Sequence, residues 1–531
     1  MAALQDGFLR SVQRCGSRCA LEAAGSALTY DELAERAGRV AAAVQDADEV
    51  GTPLTAVLAD RTPAAFAGVL GALLAGHGYV PLNPTYPTER TRLMLERSQA
   101  RTVVCDPTGA AQLAEVLAGL EPRTVILEGG DHASAGDLAA ALPDHRIVGP
   151  SDLPAADARR AVELDPQAFA YLMFTSGSTG APKGVMISHA NVRHYVSAMT
   201  ERYVVDETDR FSQTAELTFD NSIFDLFCAW ERGARVCCPE RRTLVKPGRW
   251  LAERELTIWF SVPSTAIFMR RFGQLKPGRY PSLRWSLFAG EPLPLELAQA
   301  WLVAAPNSTV ENLYGPTEMT DVCIVHRHDP DDPPYEMGTV PIGRPLPGLA
   351  ALIADEELRE VPPGEIGELL VAGPQVSQGY WRDPGRTARA FVVPPGRDTV
   401  HYRTGDRARR PRGDDDPIIF LGRVDYQVQI FGERFELGEV EAVLREASGC
   451  DGVAAIGWPV SEAGPTAVTA FVEGDNVDVD AVRVALRERL LGHAVPRHIH
   501  AVSELPKNAN GKIDRAALTA WLENPTDGSA P

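Results

Sequence analysis

Long apolar runs are missing from this 531-residue chain. None approaches the roughly 18 to 20 residues that a helix needs to span a bilayer, so no membrane partner is expected. A basic excess is missing too. Asp and Glu number 71 against 52 Lys and Arg, a formal charge of −19, and that balance argues against a nucleic-acid-binding surface while leaving room for a small anion held by local cations. The opening stretch "MAALQDGFLRSVQRCGSRCALE" has no basic segment followed by an apolar core. No signal peptide is read there, and the protein is expected to be cytoplasmic. Cysteine is sparse: eight residues, at 15, 19, 105, 228, 237, 238, 323 and 450, lie scattered without the neighbouring His/Cys set that a zinc site requires. They read as buried free thiols.

Present instead is an alternation of short apolar strands and helical segments. "TYDELAERAGRVAAAVQDA" has apolar positions at helical spacing behind Thr29 as N-cap. "PLTAVLA", "RTVVCD", "RTVILEGG", "TIWFSVPS", "RWSLFAGE" and "STVENLYGPTE" read as strands ending in polar or glycine-rich turns, and "AAFAGVLGALLAGHGYVPLNP" as a helix that breaks at Gly76 into a strand. Such alternation implies an α/β fold of doubly wound parallel sheets, with ligands gathered at the carboxyl ends of the strands. From about residue 335 prolines and hairpin signals replace this texture. The expected organisation is a large body over 1–423 with a β-rich part, a small barrel, at about 335–423. A small, mobile α+β lobe over 424–520 and a disordered tail over 521–531 follow.

One loop stands out. "FTSGSTGAPKGV" (174–185) carries almost no side-chain bulk behind the apolar run "FAYLM". Bare backbone N–H groups at a strand-to-helix turn would form a concave site for phosphate. It is not a Walker A loop, because the position that should hold the second glycine is Pro182 and Lys183 is followed by Gly184.

Nine motifs in order then carry a resemblance: "LTYDEL" (28–33), "LLAGHGYVPLNP" (73–84), "FTSGSTGAPKG" (174–184), "FDNS" (219–222), "NLYGPTE" (312–318), "GELLVAGPQVSQGY" (367–380), "YRTGD" (402–406), "GRVDYQVQIFGERFELGEVE" (422–441) and "NGKIDR" (510–515). Across nearly its whole length the chain resembles the amino-acid adenylation enzymes of nonribosomal peptide synthesis, within the acyl-adenylate-forming superfamily. The resemblance implies ATP and Mg²⁺ as cofactors. It implies that Thr175, Ser176, Gly177, Ser178, Thr179, Gly180 and a mobile Lys183 close over the β- and γ-phosphates. Tyr314 is expected to stack on adenine, Asn312 to meet its amine, and Gly290, Glu291 and Gly315 to line the nucleotide site. Thr317 is expected at the α-phosphate, Glu318 at the metal, Asp406 at the ribose hydroxyls with Arg423 assisting, and Asp425 at the hinge of the small lobe. Lys512 is the expected catalytic cation. Attack of a carboxylate on phosphorus concentrates negative charge, and a lysine bridging the two partners both positions and stabilises them.

The resemblance further assigns Asp220 to the substrate α-ammonium. A buried carboxylate without a counter-charge is costly, so it selects a cationic amine. The side-chain pocket is expected from Asn221, Phe224, Ser261, Leu287, Ala289, Leu313, Asp321 and Val322. Phe224 would limit its depth, and Asn221, Ser261 and Asp321 would offer hydrogen bonds to a small-to-medium substrate with a polar or basic group. Asn221 beside the anchor leaves a β-amino acid open, and "SLFAGEPLP" keeps a small amino acid open. Because the chain stops soon after "NGKIDRAALTAWLE", a free-standing enzyme is expected, whose thiol acceptor is the phosphopantetheine of a separate carrier protein. Carrier docking is sought on the basic stretches "FMRRFGQLKPGR" and "RARRPRG". Gln429 and Phe431 stand where the family usually shows a lysine and an arginine, on the surface used in thioester formation. The rival readings are an acyl- or aryl-CoA ligase, against which Asp220 argues, and a catalytically idle nucleotide-binding subunit.

Overall fold

The computed structural model describes residues 3–47, 53–177, 182–331, 335, 337–413, 415–423, 427–474, 477–507 and 513–523. Its body is built on two large sheets. The seven-stranded sheet runs Arg146–Val148, Thr124–Leu127, Thr102–Cys105, Leu54–Leu58, Gly78–Leu82, Phe169–Thr175, Lys183–Ser188. All neighbours in it are parallel except the last pair. The strands Leu54–Leu58 and Gly78–Leu82 are buried at every position, as expected of parallel strands covered on both faces, and this is why they read as unbroken apolar runs. The nine-stranded sheet places Thr309–Tyr314, Trp285–Ala289, Ile258–Ser261, Arg210–Ser212, Arg235–Cys237 and Cys19–Ala23 side by side in parallel. Antiparallel strands close both edges.

One apolar core joins the two sheets. Tyr79 and Tyr171 come from the first, Phe211, Leu287 and Leu313 from the second, and helices Tyr30–Asp46, Pro63–Ala75 and His189–Arg202 fill the space between. The start of Tyr30–Asp46 is set locally. Thr29 accepts the Glu32 N–H while the Glu32 carboxylate accepts the Thr29 N–H, a reciprocal capping box.

A five-stranded antiparallel sheet follows, from Ala350–Ala354, Ile366–Ala372, His401–Arg409, Phe391–Val392 and Ile419–Arg423. It begins later than residue 335, because Arg344–Pro345 still pairs with the nine-stranded sheet. The small lobe holds the hairpin Gln427–Ile430/Glu433–Glu436 and a three-stranded sheet, Val453–Gly457, Val468–Glu473 and His498–Val502. Helices Leu437–Ser448, Val479–Arg489 and Arg515–Glu523 pack with them.

Two further expectations change. The glycine-rich loop joins strand to strand, since Phe169–Thr175 returns antiparallel as Lys183–Ser188 and the helix His189–Arg202 comes only afterwards. Among the described residues, the loop's exit is therefore a strand and not the N-terminus of a helix. Residues 521–523 are not tail but the last turn of Arg515–Glu523, held by Trp521 against Phe471 and His500 with ring centroids 5.9 and 5.2 Å away. The remainder, 524–531, and the expected hinge Asp425 lie outside the described residues. All eight cysteines are free thiols, five of them buried. Among the described residues no helix is long and apolar enough to cross a membrane.

Candidate active site

The carboxyl ends of both sheets meet the small lobe at one buried carboxylate. Glu318 sits in a short 3-10 turn, Thr317–Met319, just past the strand Thr309–Tyr314. The turn fits because residue 315 is glycine. A Cβ there would lie 1.8 Å from the Asp321 carbonyl oxygen, a distance no side chain tolerates. Glu318 is fully buried. Its Oε1 is 3.0 Å from Lys183 Nζ and accepts the Tyr380 hydroxyl at 2.7 Å, while Arg434 of the small lobe stands 3.4 Å from Oε2. Burial alone would raise this carboxyl, but the Lys183 and Arg434 cations and the Tyr380 hydroxyl hold it well below the usual range. Lys183 therefore departs from the expected mobile charge. It opens the strand Lys183–Ser188, is buried, and lies against the Tyr380 ring.

Next to this centre, Asp406 on the strand His401–Arg409 takes the Tyr314 hydroxyl on Oδ2 and Arg423 Nη1 on Oδ1, the latter at 2.6 Å. Asn312 donates both amide protons to the carbonyls of Val340 and Pro341, at 2.8 and 2.9 Å. Thr175 Oγ1, at the mouth of the glycine-rich loop, is buried with no hydrogen-bond partner. Gly177 closes the described part of that loop, and Ser178, Thr179 and Gly180 lie outside it, as does Lys512.

The small lobe docks on the residues around this site. Ser176 Oγ donates to the Arg434 carbonyl at 2.8 Å. Glu291, expected at the nucleotide, has both oxygens committed elsewhere. Oε2 accepts the Ser264 N–H at 2.8 Å, at the start of helix Pro263–Arg271, and Oε1 accepts the Gly432 N–H at 2.9 Å. Gly432 has φ +77° and a Cβ on it would meet Val262 at 2.2 Å, so the hairpin tip approaches the body only as glycine. Gly290 faces that tip, its would-be Cβ 3.7 Å from Gly432 Cα. Phe431 packs on Phe268 and His493, an apolar contact in place of the charge expected there. Arg90 and Glu439 form a buried ion pair at 2.6 Å across the same junction. Of the basic stretches, Arg270 pairs with Glu462 of the small lobe and Arg410 with Glu360.

Asp220 and the pocket residues converge deeper in the body. Asp220 precedes the helical turn Asn221–Ile223 but makes no cap hydrogen bond, and its Oδ2 is buried without a partner. Burial pushes its carboxyl up to about 6, with the Thr317 hydroxyl pulling down and Glu318 pushing up. Phe224, Leu287, Ala289, Leu313 and Val322 are buried together in the core between the sheets. Phe224 packs edge-on to Phe260 and Tyr203. Ser261 departs from expectation: its hydroxyl takes the Trp259 indole N–H at 2.9 Å and donates to the Val262 carbonyl at 3.2 Å, so it serves the pocket wall. Asn221 Nδ2 donates to Asp321 Oδ1 at 3.3 Å, and Tyr195 donates to Asp321 Oδ2 at 2.6 Å.

Sequence reasoning missed Tyr195, Tyr380 and Arg434. The last two stand inside quoted motifs, "GPQVSQGY" and "FGERFELGE", where a signal was available. Tyr195 lies on helix His189–Arg202 at a position that reads as ordinary core.

A two-sheet body whose strand ends carry a buried acid between cations, capped by a small α+β lobe, is the architecture of an adenylate-forming enzyme. The chain belongs to the AMP-binding enzyme family, matching its model over residues 8–381 and that of the AMP-binding enzyme C-terminal domain over 439–512. Within it, the chain is an adenylation domain of the nonribosomal peptide synthetase type. Novobiocin biosynthesis protein H of Streptomyces niveus is 34% identical over 97% of this chain and 82% of its own length. Tyrocidine synthase 3 of Brevibacillus parabrevis is 34% identical over 99% of this chain, which spans 8% of that protein. Phosphinothricin tripeptide synthetase PhsC of Streptomyces viridochromogenes is 35% identical over 96% of the chain, which spans 44% of it. Among solved structures, the Vibrio cholerae adenylation domain AlmE, in complex with glycyl-adenosine-5'-phosphate, superimposes with a TM-score of 0.87 at 29% identity, covering 98% of this chain and 97% of AlmE. IdnL7 gives 0.72 at 33%, covering 99% of both.

Proposed function

We infer that this chain activates an amino acid. Its carboxylate oxygen attacks the α-phosphorus of ATP, the bond to the bridging oxygen breaks, and aminoacyl-adenylate and pyrophosphate result. A thiolate on the phosphopantetheine of a separate carrier protein then attacks the acyl carbon, forming a thioester and releasing AMP. The observation that carries the reading is Asp220: a buried carboxylate with an unpartnered oxygen, beside the Thr317 hydroxyl and close enough to Glu318 to feel its charge. In that position it matches an α-ammonium, and it disfavours an acid that lacks one.

The other residues take the roles that the resemblance implies. Tyr314, Asn312, Asp406 and Arg423 would form the nucleoside end, and Thr175 and Lys183 the phosphate end. Glu318 fits Mg²⁺, since a single buried carboxylate joined by substrate phosphates is the usual protein share of such a site, and the bound ion would neutralise the departing pyrophosphate. Here Arg434 stands on Glu318, so the small lobe occupies the phosphate end with its hairpin. Lys512, the last residue matched by the C-terminal domain model, would act as the cation of the first step. A support for amino-acid chemistry is the likeness to AlmE, whose complex holds a glycyl adenylate.

The test is amino-acid-dependent pyrophosphate exchange and hydroxylamine trapping across α-amino, β-amino, aryl and fatty acids. Amino acids should drive exchange. A response confined to aryl or fatty acids would overturn the reading.

A further inference from the structure

Two buried carboxylates, one more than an ordinary amino acid can neutralise, lie within reach of each other's charge: Asp220 and Asp321. Asn221, the residue after Asp220, reaches Asp321 Oδ1 at 3.3 Å, and the Tyr171 phenol, fully buried, is pushed up by burial, by Tyr79 and by both acids. Burial and then the charge of Asp220 push the Asp321 carboxyl up. No lysine or arginine pairs with either acid among the described residues, because Lys183 and Arg434 are taken by Glu318. A third acid, Asp225, is also buried, but Arg61 acts on it as a partial counter-charge.

Two features distinguish Asp321 from a carboxyl that merely sits neutral in a core. Both its oxygens receive donors, the Tyr195 hydroxyl at 2.6 Å and the Asn221 amide at 3.3 Å, which is the arrangement that stabilises an acceptor. Polar atoms beside it are also left over. Asp220 Oδ2 is an acceptor without a donor, and Tyr171 Oη has no partner, though both are at least nine-tenths buried. A buried site in this condition calls for a ligand bearing several N–H donors. Leu287, Leu313, Val322 and Phe224, also expected at the side-chain pocket, are apolar members of one core cluster and carry no charge that could read the substrate.

Resting on the activity inferred above, we propose that the activated substrate is a short diamino acid. Its α-ammonium meets Asp220 and its side-chain ammonium meets Asp321, which Tyr195 and Asn221 hold in place. Neutral acids of equal length leave Asp321 a buried acid without a counter-charge and are discriminated against.

Matched acids in the pyrophosphate-exchange assay decide the matter: 2,3-diaminopropionate against serine, and 2,4-diaminobutyrate against homoserine and 2-aminobutyrate. The expected kcat/KM preference for the diamino member is at least tenfold. Asp321→Asn should lower kcat/KM for the diamino acid at least tenfold and erase the preference. Tyr195→Phe, a milder change should Asp321→Asn fold poorly, should reduce it several-fold. If the wild-type enzyme uses serine or 2-aminobutyrate as well as the diamino partner, the diamino proposal fails while amino-acid activation stands. If Asp321→Asn keeps the preference, the role given to Asp321 is wrong. Exchange with no amino compound at all overturns both readings.

Discussion

Glu318→Gln tests the electrostatic centre directly. At 3.0 Å from Lys183 and 3.4 Å from Arg434, each attraction is worth roughly 5 kcal/mol at an effective dielectric of about 20, before the cost of taking three charges out of water. The net value of the cluster is therefore small, but the cost of breaking it is not. Glutamine keeps the volume and takes from two buried cations their nearest counter-charge, a change that costs about 3–5 kcal/mol. Melting should fall by about 3–5 °C in a thermal scan followed by circular dichroism, from an unfolding entropy of about 2.1 cal/mol/K per residue. The sign with pH follows from the depressed carboxyl. Its stabilisation is present above the unfolded value of about 4.3 and is lost only as pH falls through the lower folded value. The gap between wild type and variant should thus persist from pH 8 to pH 5. Adding Lys183→Met to Glu318→Gln should recover part of the loss, since the orphaned cation is then removed. A Glu318→Gln variant melting within a degree or two of wild type would refute the argument.

Lys512→Ala should lower the adenylation rate by about 3–4 kcal/mol of barrier, two to three orders of magnitude, measured by pyrophosphate exchange, with little change in melting. Normal exchange in that variant would remove Lys512 from the first step. Because the Asp220 carboxyl is pushed up to about 6, it is increasingly neutral below that pH and loses its hold on an ammonium. The kcat/KM for the amino acid should fall towards tenfold per unit below about pH 6. Asp220→Asn should abolish that limb, and a flat wild-type profile between pH 7 and 5 would contradict the assignment.

Much of the body was legible because its signals are local. The strands Leu54–Leu58, Thr102–Cys105, Ile258–Ser261 and Trp285–Ala289 announce themselves as apolar runs, and Thr29 with Glu32 marks a helix start within four residues. The glycine-rich loop was misread as a strand-to-helix turn because "KGVMIS" is short and resembles the opening of the helix that follows it. Only pairing with Phe169–Thr175 makes it a strand. Ser261 was read as a pocket donor because its hydroxyl is indistinguishable in sequence from a free one, and Trp259 two residues earlier claims it. Glu291 was read towards the nucleotide because the lobe that takes its Oε1 arrives from 141 residues away.

By itself the sequence determined the chemical types and the local periodicities: an anion-suited loop, a lysine in a polar turn, acids in place for a metal and an amine, and strands spaced by helices. The tertiary structure alone decided which charges stand next to which. Tyr195 and Asp321 are 126 residues apart, and Arg434 and Glu318 are 116 apart. The strength of such a pair depends on separation and burial, and both are set only when the sheets and the small lobe close around it.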